Sequence, residues 1–341
     1  MSLLNSIRLR ATAVALILAS LGALAEDSRV PTLSISLDKT VYMRGEPLVA
    51  TVRATNKSSQ NIKCGYQDND VFAHIFPADF VILRADGVRC ASIRIGPDGY
   101  IRPPRLRSDL AAGASLQCDK VLMPQYPRPL RKGELLEPGH YKLKVEGFWR
   151  IPDEQRSVAH PESEPVPFEI CEPTGVNAEA AELIANPLIR AFLTGGIETH
   201  GLDAEGLEEL LEKYPASIYA SHARIQSFLR QTYGGKATIR DRAEREGRRS
   251  ELPALAETGN ALIQECPAPL RDNILRRVAQ IQDVLSREFE AMATYKRLIA
   301  EYPDGDARPA AEEALAELED AYQRYLERQA EKGAEEKNAN P

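Results

Sequence analysis

The side chains in this sequence best suited to nucleophilic, general-base or metal chemistry are five histidines and five cysteines. The histidines are His74, His140, His160, His200 and His222, and no two of them share a metal-ligand spacing such as H-x-x-x-H. The chain holds no H-E-x-x-H, no G-x-S-x-G and no phosphate-binding glycine loop. It holds no C-x-x-C either, which removes the thioredoxin-like and zinc-ribbon readings. The acidic stretches "QDND" (67–70) and "DGDARPAAEE" (304–313) have oxygen ligands for calcium. Neither places a glycine and a closing glutamate at the spacing of a calcium loop, so they read as a solvated turn and a helix cap. The sequence thus predicts a non-enzyme with no cofactor and no metal ion.

The elements that position these residues begin with an export signal. Arg8 and Arg10 precede an apolar run from Ala11 to Leu24, and Ala23-Leu24-Ala25 is a small-residue cleavage site. Residues 1–25 therefore read as a signal peptide, the mature chain as periplasmic or secreted. No lipid-accepting cysteine stands beside the site, and no later run is apolar enough to span a membrane. The whole chain carries 43 basic and 50 acidic residues. Loss of the leader removes two arginines and moves the net charge from -7 to -9. An acidic chain of this kind argues against nucleic acid as a partner.

Composition changes near residue 172, which divides the mature chain into residues 26–172 and 173–330, with 331–341 as a disordered tail. In the first part, "TLSISL" places Leu33, Ile35 and Leu37 on one face, and "YKLKVE" places Tyr141, Leu143 and Val145 opposite Lys142, Lys144 and Glu146. A period of two predicts half-buried strands. Turn signals at Arg44-Gly45-Glu46-Pro47, Ala85-Asp86-Gly87 and Glu137-Pro138-Gly139 separate them, which predicts an antiparallel β-sandwich. Residues 150–166, polar and holding Pro152, Pro161 and Pro165, read as a mobile loop. Cys64, Cys90, Cys118 and Cys171 all fall in this part, and in an oxidising compartment they allow two disulfides in three connectivities. Cys266 stands apart at the end of an apolar helical stretch and reads as an inert buried thiol.

The segments "SLDKTVYMRGEPLVATVRATNKSSQNI", "FVILRADG", "LAAGASLQCDKVL" and "LEPGHYKLKVEGFW" resemble the immunoglobulin-like modules of secreted bacterial proteins. Their order is also similar to the bacterial intracellular proteinase inhibitor domain. The resemblance covers residues 32–172. It implies an immunoglobulin-like sandwich and, as a second reading, an inhibitor or accessory module of a secreted protease or other hydrolase.

After "EPTGVNAE", read as a linker, strand signals give way to helical spacing. Leu207, Leu210, Leu211 and Tyr214 form one stripe behind Asp203 as N-cap. Ile274, Leu275, Val278, Ile281 and Leu285 form another, continued by Phe289, Met292, Tyr295, Ile299 and Tyr302. Leu315, Leu318, Tyr322, Tyr325 and Leu326 form the last. Asn186-Pro187 fits an N-cap followed by proline at the first helical position. The mixed-sign run "IRDRAEREGRRSE" (239–251) reads as a solvated surface turn.

Two helical stretches end in Tyr-Pro: Tyr214-Pro215 and Tyr302-Pro303. Proline lacks an amide donor and disfavours helix in the residue before it, so each dipeptide fixes a corner. Ser217 or Asp306 then caps the next helix, and Ala220 and Ala223, like Ala310 and Ala311, leave room for a close neighbour. The tyrosine is expected to seal the corner. Tyr214, Pro215, Ser217, Tyr219, Ala220 and Ala223 resemble the divergent Y-P-x-S-x-Y-A-x-x-A tetratricopeptide repeats of bacterial periplasmic proteins. The second copy keeps Tyr302, Pro303 and Ala311. The resemblance implies an irregular helical array that engages a protein or peptide partner, hence a binding or scaffold protein of the cell envelope.

Overall fold

The computed structural model describes residues 30–62, 78–94, 110–125, 134–147, 149–150, 158–194, 206–232, 236–305 and 307–339. Strands occupy the N-terminal half: β1 (Thr32–Leu37), β2 (Val41–Met43), β3 (Leu48–Thr55), β4 (Ala78–Arg84), β5 (Arg89–Arg94), β6 (Ser115–Leu122), β7 (Gly139–Gly147), β8 (Trp149–Arg150), β9 (Val158–Ala159) and β10 (Val166–Cys171). They form two main open sheets, one of order β1-β3-β6 and one of order β2-β10-β7-β4-β5, with β8-β9 a small ribbon. The pairings are antiparallel except β2 with β10, so the larger sheet is mixed. The β8–β9 ribbon takes up part of the stretch read as a loop.

One apolar core joins the two sheets. Leu33 and Ile35 of β1, Ala50 and Val52 of β3 and Leu122 of β6 meet Phe80 and Ile82 of β4, Leu143 and Val145 of β7 and Phe168 and Ile170 of β10. These are the alternating residues that a period of two sends to one face. Two places break the alternation. Val49 follows buried Leu48 on β3, and Val121 precedes buried Leu122 on β6; the two are register partners on the outer face of the smaller sheet. Both pack into a cluster built from helices.

Those helices fill the C-terminal half: α1 (Val176–Ile184), α2 (Pro187–Leu193), α3 (Leu207–Lys213), α4 (Ile218–Gln231), α5 (Lys236–Arg245), α6 (Leu252–Glu265), α7 (Arg271–Val284), α8 (Glu288–Glu301) and α9 (Arg308–Ala339). Val49 joins a cluster formed by α4 to α9, while Met123 and Leu135 join a second formed by α1 to α4. The helices therefore lie against the smaller sheet as a third layer. Helix α1 begins inside the stretch read as a linker, which leaves Glu172–Gly175 between strand and helix.

Asn186 accepts from the Leu188 amide at 2.9 Å with Pro187 at the first helical turn, as its dipeptide predicts. Asp203 lies outside the described residues, and Gly206 precedes α3. Residues 331–339, expected as disordered tail, continue α9. Alanine, glutamate, glutamine and lysine are strong helix formers, and here propensity extends the helix beyond the last apolar anchor. Phe289, Tyr325 and Leu326 also depart from the expected core stripes: they are 65%, 51% and 41% exposed. They stand on α8 and α9, on faces that the other described elements leave open.

Candidate functional site

Both Tyr-Pro corners stand where the helical layer meets the sheets, and each borders a cleft. At the first, the Tyr214 amide donates to Leu210 at 3.2 Å and ends α3, and the Ser217 amide donates back to Tyr214 at 2.9 Å. Ser217 caps α4, its Oγ accepting from the Ala220 amide at 3.1 Å. Asn177 of α1 accepts the Ile218 amide at 2.9 Å, which ties α1 to the same corner. Tyr214 is only half-buried. The fully buried ring is Tyr219, packed beside Ala220 and Ala223. Its hydroxyl donates to the Arg44 carbonyl oxygen at 2.6 Å. Burial pushes the Tyr219 phenol far above its ordinary value, with Glu46 and Glu172 adding to the effect, so it stays a neutral donor.

One turn along α4, His222 is also buried and faces Glu46 of the β2–β3 turn, Nε2 to Oε1 at 3.8 Å. Glu46 is a buried carboxylate that receives the Lys39 ammonium and, on Oε2, the Met43 amide at 2.9 Å. Burial alone would raise its pKa; the facing His222, Lys39 and the Met43 amide outweigh burial and hold it below the usual glutamate value. Gly45, beside it, has φ +83°, and a Cβ there would lie 2.9 Å from Ile184 of α1. Only glycine permits both that backbone and that approach. Lys39, Tyr42, Glu46, Cys171, Asn177 and Ser221 line the adjoining cleft of about 530 Å³.

The second corner repeats the backbone plan. The Tyr302 amide closes α8 on Leu298 at 2.9 Å, and the Gly305 amide donates to Tyr302 at 3.0 Å. Asp306, the expected cap, lies outside the described residues. Asp272 of α7 accepts the Ala307 amide at 3.1 Å. Tyr302 is half-buried, and Pro303 is exposed. Across a cleft of about 380 Å³ stand Ser34, Ser36, Thr51, Arg53, Gln117 and Asp119 on the outer face of the smaller sheet. Arg53 spans the gap, donating to Gln117 Oε1 and to Asp304 Oδ2, each at 3.1 Å. Thr51 Oγ1 donates to Asp119 Oδ1.

The remaining sequence candidates scatter. Cys64, His74, His200 and the "QDND" stretch lie outside the described residues. Cys90, Cys118 and Cys171 stand on β5, β6 and β10, and among the described residues no two cysteines are joined. Burial pushes the Cys266 thiol up to about 11, which makes it a poor nucleophile. His140 and His160 are exposed at separate strand ends. Among the described residues, no three histidine, cysteine or acidic side chains converge as a metal site.

The seam formed by Glu46, His222 and Tyr219 is missing from the sequence reading. Its partners lie about 175 residues apart, as Tyr219 and Arg44 do, and no local spacing joins them. The adjacent apolar pairs Leu48-Val49 and Val121-Leu122 are the one legible trace of a sheet buried on both faces.

No protein-family model matches the chain, and no curated protein matches it. Among solved structures 23 chains match. One, the crystal structure of the C-terminal domain of wzt, aligns with 42% of this chain and 72% of its own at 8% identity, with a TM-score of 0.24. At that score the likeness carries no argument.

Proposed function

We propose that this chain is an exported, non-enzymatic binding or scaffold protein of the cell envelope, whose helical array engages a protein or peptide partner. In this reading the β half is an immunoglobulin-like module and the helices are a divergent tetratricopeptide-like array. The strand order supports the first half of that statement, because β1 pairs with β3 while β2 crosses to pair in parallel with β10. The Tyr-Pro corners support the second, each closing one helix and starting the next.

The observation that carries the function is the uncovered apolar strip on the last hairpin. Phe289 of α8 packs edge-on against Tyr322 of α9, ring centroids 5.1 Å apart, and Tyr325 and Leu326 extend the strip along exposed helix. Grouped exposed aromatic and aliphatic side chains mark interaction surfaces. The test is photo-crosslinking from position 325 of the intact chain in its native envelope. A discrete adduct, lost when Phe289 and Leu326 are both changed to serine, supports the reading. A chain that yields no adduct, or that inhibits a secreted hydrolase through its β half, overturns it.

A further inference from the structure

Among the described residues β1 is an edge strand, and its pairing with β3 settles where its backbone points. The Asp38 amide donates to the Val49 carbonyl at 3.1 Å, so Asp38 and Val49 form a hydrogen-bonded pair. In an antiparallel ladder such pairs recur at every second residue. Ser36–Thr51, Ser34–Arg53 and Thr32–Thr55 therefore share the ladder. The amides and carbonyls of Leu33, Ile35 and Leu37 face the opposite way, and no backbone hydrogen bond to them from another element is present among the described residues. Edges of this kind are normally blunted by lysine, proline or a bulge. Within "TLSISL" there is no charge, no proline and no break in register.

The second-corner cleft adjoins this edge, since Ser34, Ile35 and Ser36 all line it. Among the described residues, its charged lining is Asp119, Asp272, Asp304 and Arg53. We propose that β1 and this cleft form a docking site for an extended peptide that adds as a strand to β1 and lays basic side chains into the cleft. Leu33, Ile35 and Leu37 supply donor and acceptor pairs repeating about every 6.8 Å, which is the spacing of a polypeptide strand. Side chains of the added strand on the face of Ser34 and Ser36 recur with the same period and enter an acidic cleft. Charge complementarity selects lysine or arginine there. The proposal rests on the peptide-binding reading above but assigns it to a surface distinct from the α8–α9 strip.

The test uses the intact chain and a blocked peptide of about seven residues, a common strand length, in which lysine alternates with valine. A matched peptide carries glutamate in place of lysine. The lysine peptide is expected to bind at least about tenfold more tightly, a difference readily resolved by titration. Its binding should slow hydrogen exchange at the amides of Leu33, Ile35 and Leu37. N-methylating the alternate peptide amides that face β1 should abolish binding, while methylating the other set should not. The exposed double substitution Ser34→Lys and Ser36→Lys should weaken binding by about tenfold or more without lowering the melting temperature. Equal binding of the two peptides, indifference to the N-methyl frame, or unchanged exchange at the three amides overturns the proposal. So does self-pairing of β1 into a dimer, or occupation of the cleft by an oligosaccharide, with the peptide inert. If the β1 tests fail while the position-325 adduct forms, this site is wrong and the binding function stands.

Discussion

Tyr219 on α4 donates its hydroxyl to the Arg44 carbonyl oxygen in the β2–β3 turn at 2.6 Å, across 175 residues of sequence. The ring is fully buried, so the bond forms away from water and holds the first helical corner to the sheets. The corner is sealed by this second tyrosine of the Tyr-Pro motif and only flanked by the first. Tyr219→Phe keeps the ring and leaves the Arg44 carbonyl without that donor, which should cost about 1–2 kcal/mol. Tyr219→Ala also empties the ring's volume and should cost about 3–5 kcal/mol. Tyr214→Ala, at a half-buried position, should cost less than Tyr219→Ala. Urea unfolding of the three variants ranks them; a Tyr214→Ala loss equal to that of Tyr219→Ala contradicts the assignment.

Glu46 makes the same seam dependent on pH. Its carboxyl titrates below the ordinary glutamate value, so the unfolded chain binds its proton more readily than the folded chain. Its contribution is complete above the ordinary value of about 4.3 and is lost as pH falls through the lower, folded value. Glu46→Gln should remove that part of the acid slope. At neutral pH it should cost about 2 kcal/mol through the weakened bonds to Lys39 and the Met43 amide. Denaturation curves between pH 3 and pH 7, run on both proteins, are the check: parallel slopes would rule Glu46 out as their source.

What the sequence discloses and what it hides follow from the range of the forces involved. The alternation in "TLSISL" and "YKLKVE", the Asn186-Pro187 start and the Ser217 cap are local, and the strands and helix ends stand where those residues place them. The third layer is not local. Val49 and Thr51 share one face of β3, yet Val49 is buried by helices and Thr51 borders a cleft. Only the assembled chain distinguishes them. The terminal helix is hidden for the opposite reason: its polar residues give no core signal, and backbone propensity alone carries α9 onward.

Gly259 marks a close crossing in the helical layer. A Cβ at this position on α6 would lie 2.5 Å from Val278 Cγ2 and 2.6 Å from the Phe228 ring, so α7 and α4 would both have to give way. Alanine is the better helix former by about 1 kcal/mol, which favours the substitution on propensity. Overpacking of a close contact costs about 1–3 kcal/mol and acts against it. Gly259→Ala should therefore lower the unfolding midpoint, whereas Gly247→Ala tests only backbone strain, because its added Cβ meets nothing and its φ is +65°. Thermal melts of both variants separate packing from backbone strain, and a stabilised Gly259→Ala would show that α4 and α7 yield freely.

Val49 tests whether the sheets and helices unfold together. Its side chain leaves the β core and is buried among the helices, while its neighbours Leu48 and Ala50 point into the core between the sheets. Val49→Ala removes buried methyl groups from the helical side of β3 and should cost about 2 kcal/mol. With Val49, Val121, Met123 and Leu135 all built into helical clusters, the loss should pass to both halves at once. Helical circular dichroism and hydrogen exchange at the amides of β4 and β7 should report one common, lower stability. If the helical signal moves and the strand signal stays, the layers are docked and separable, and the buried contacts across the seam do not couple their unfolding.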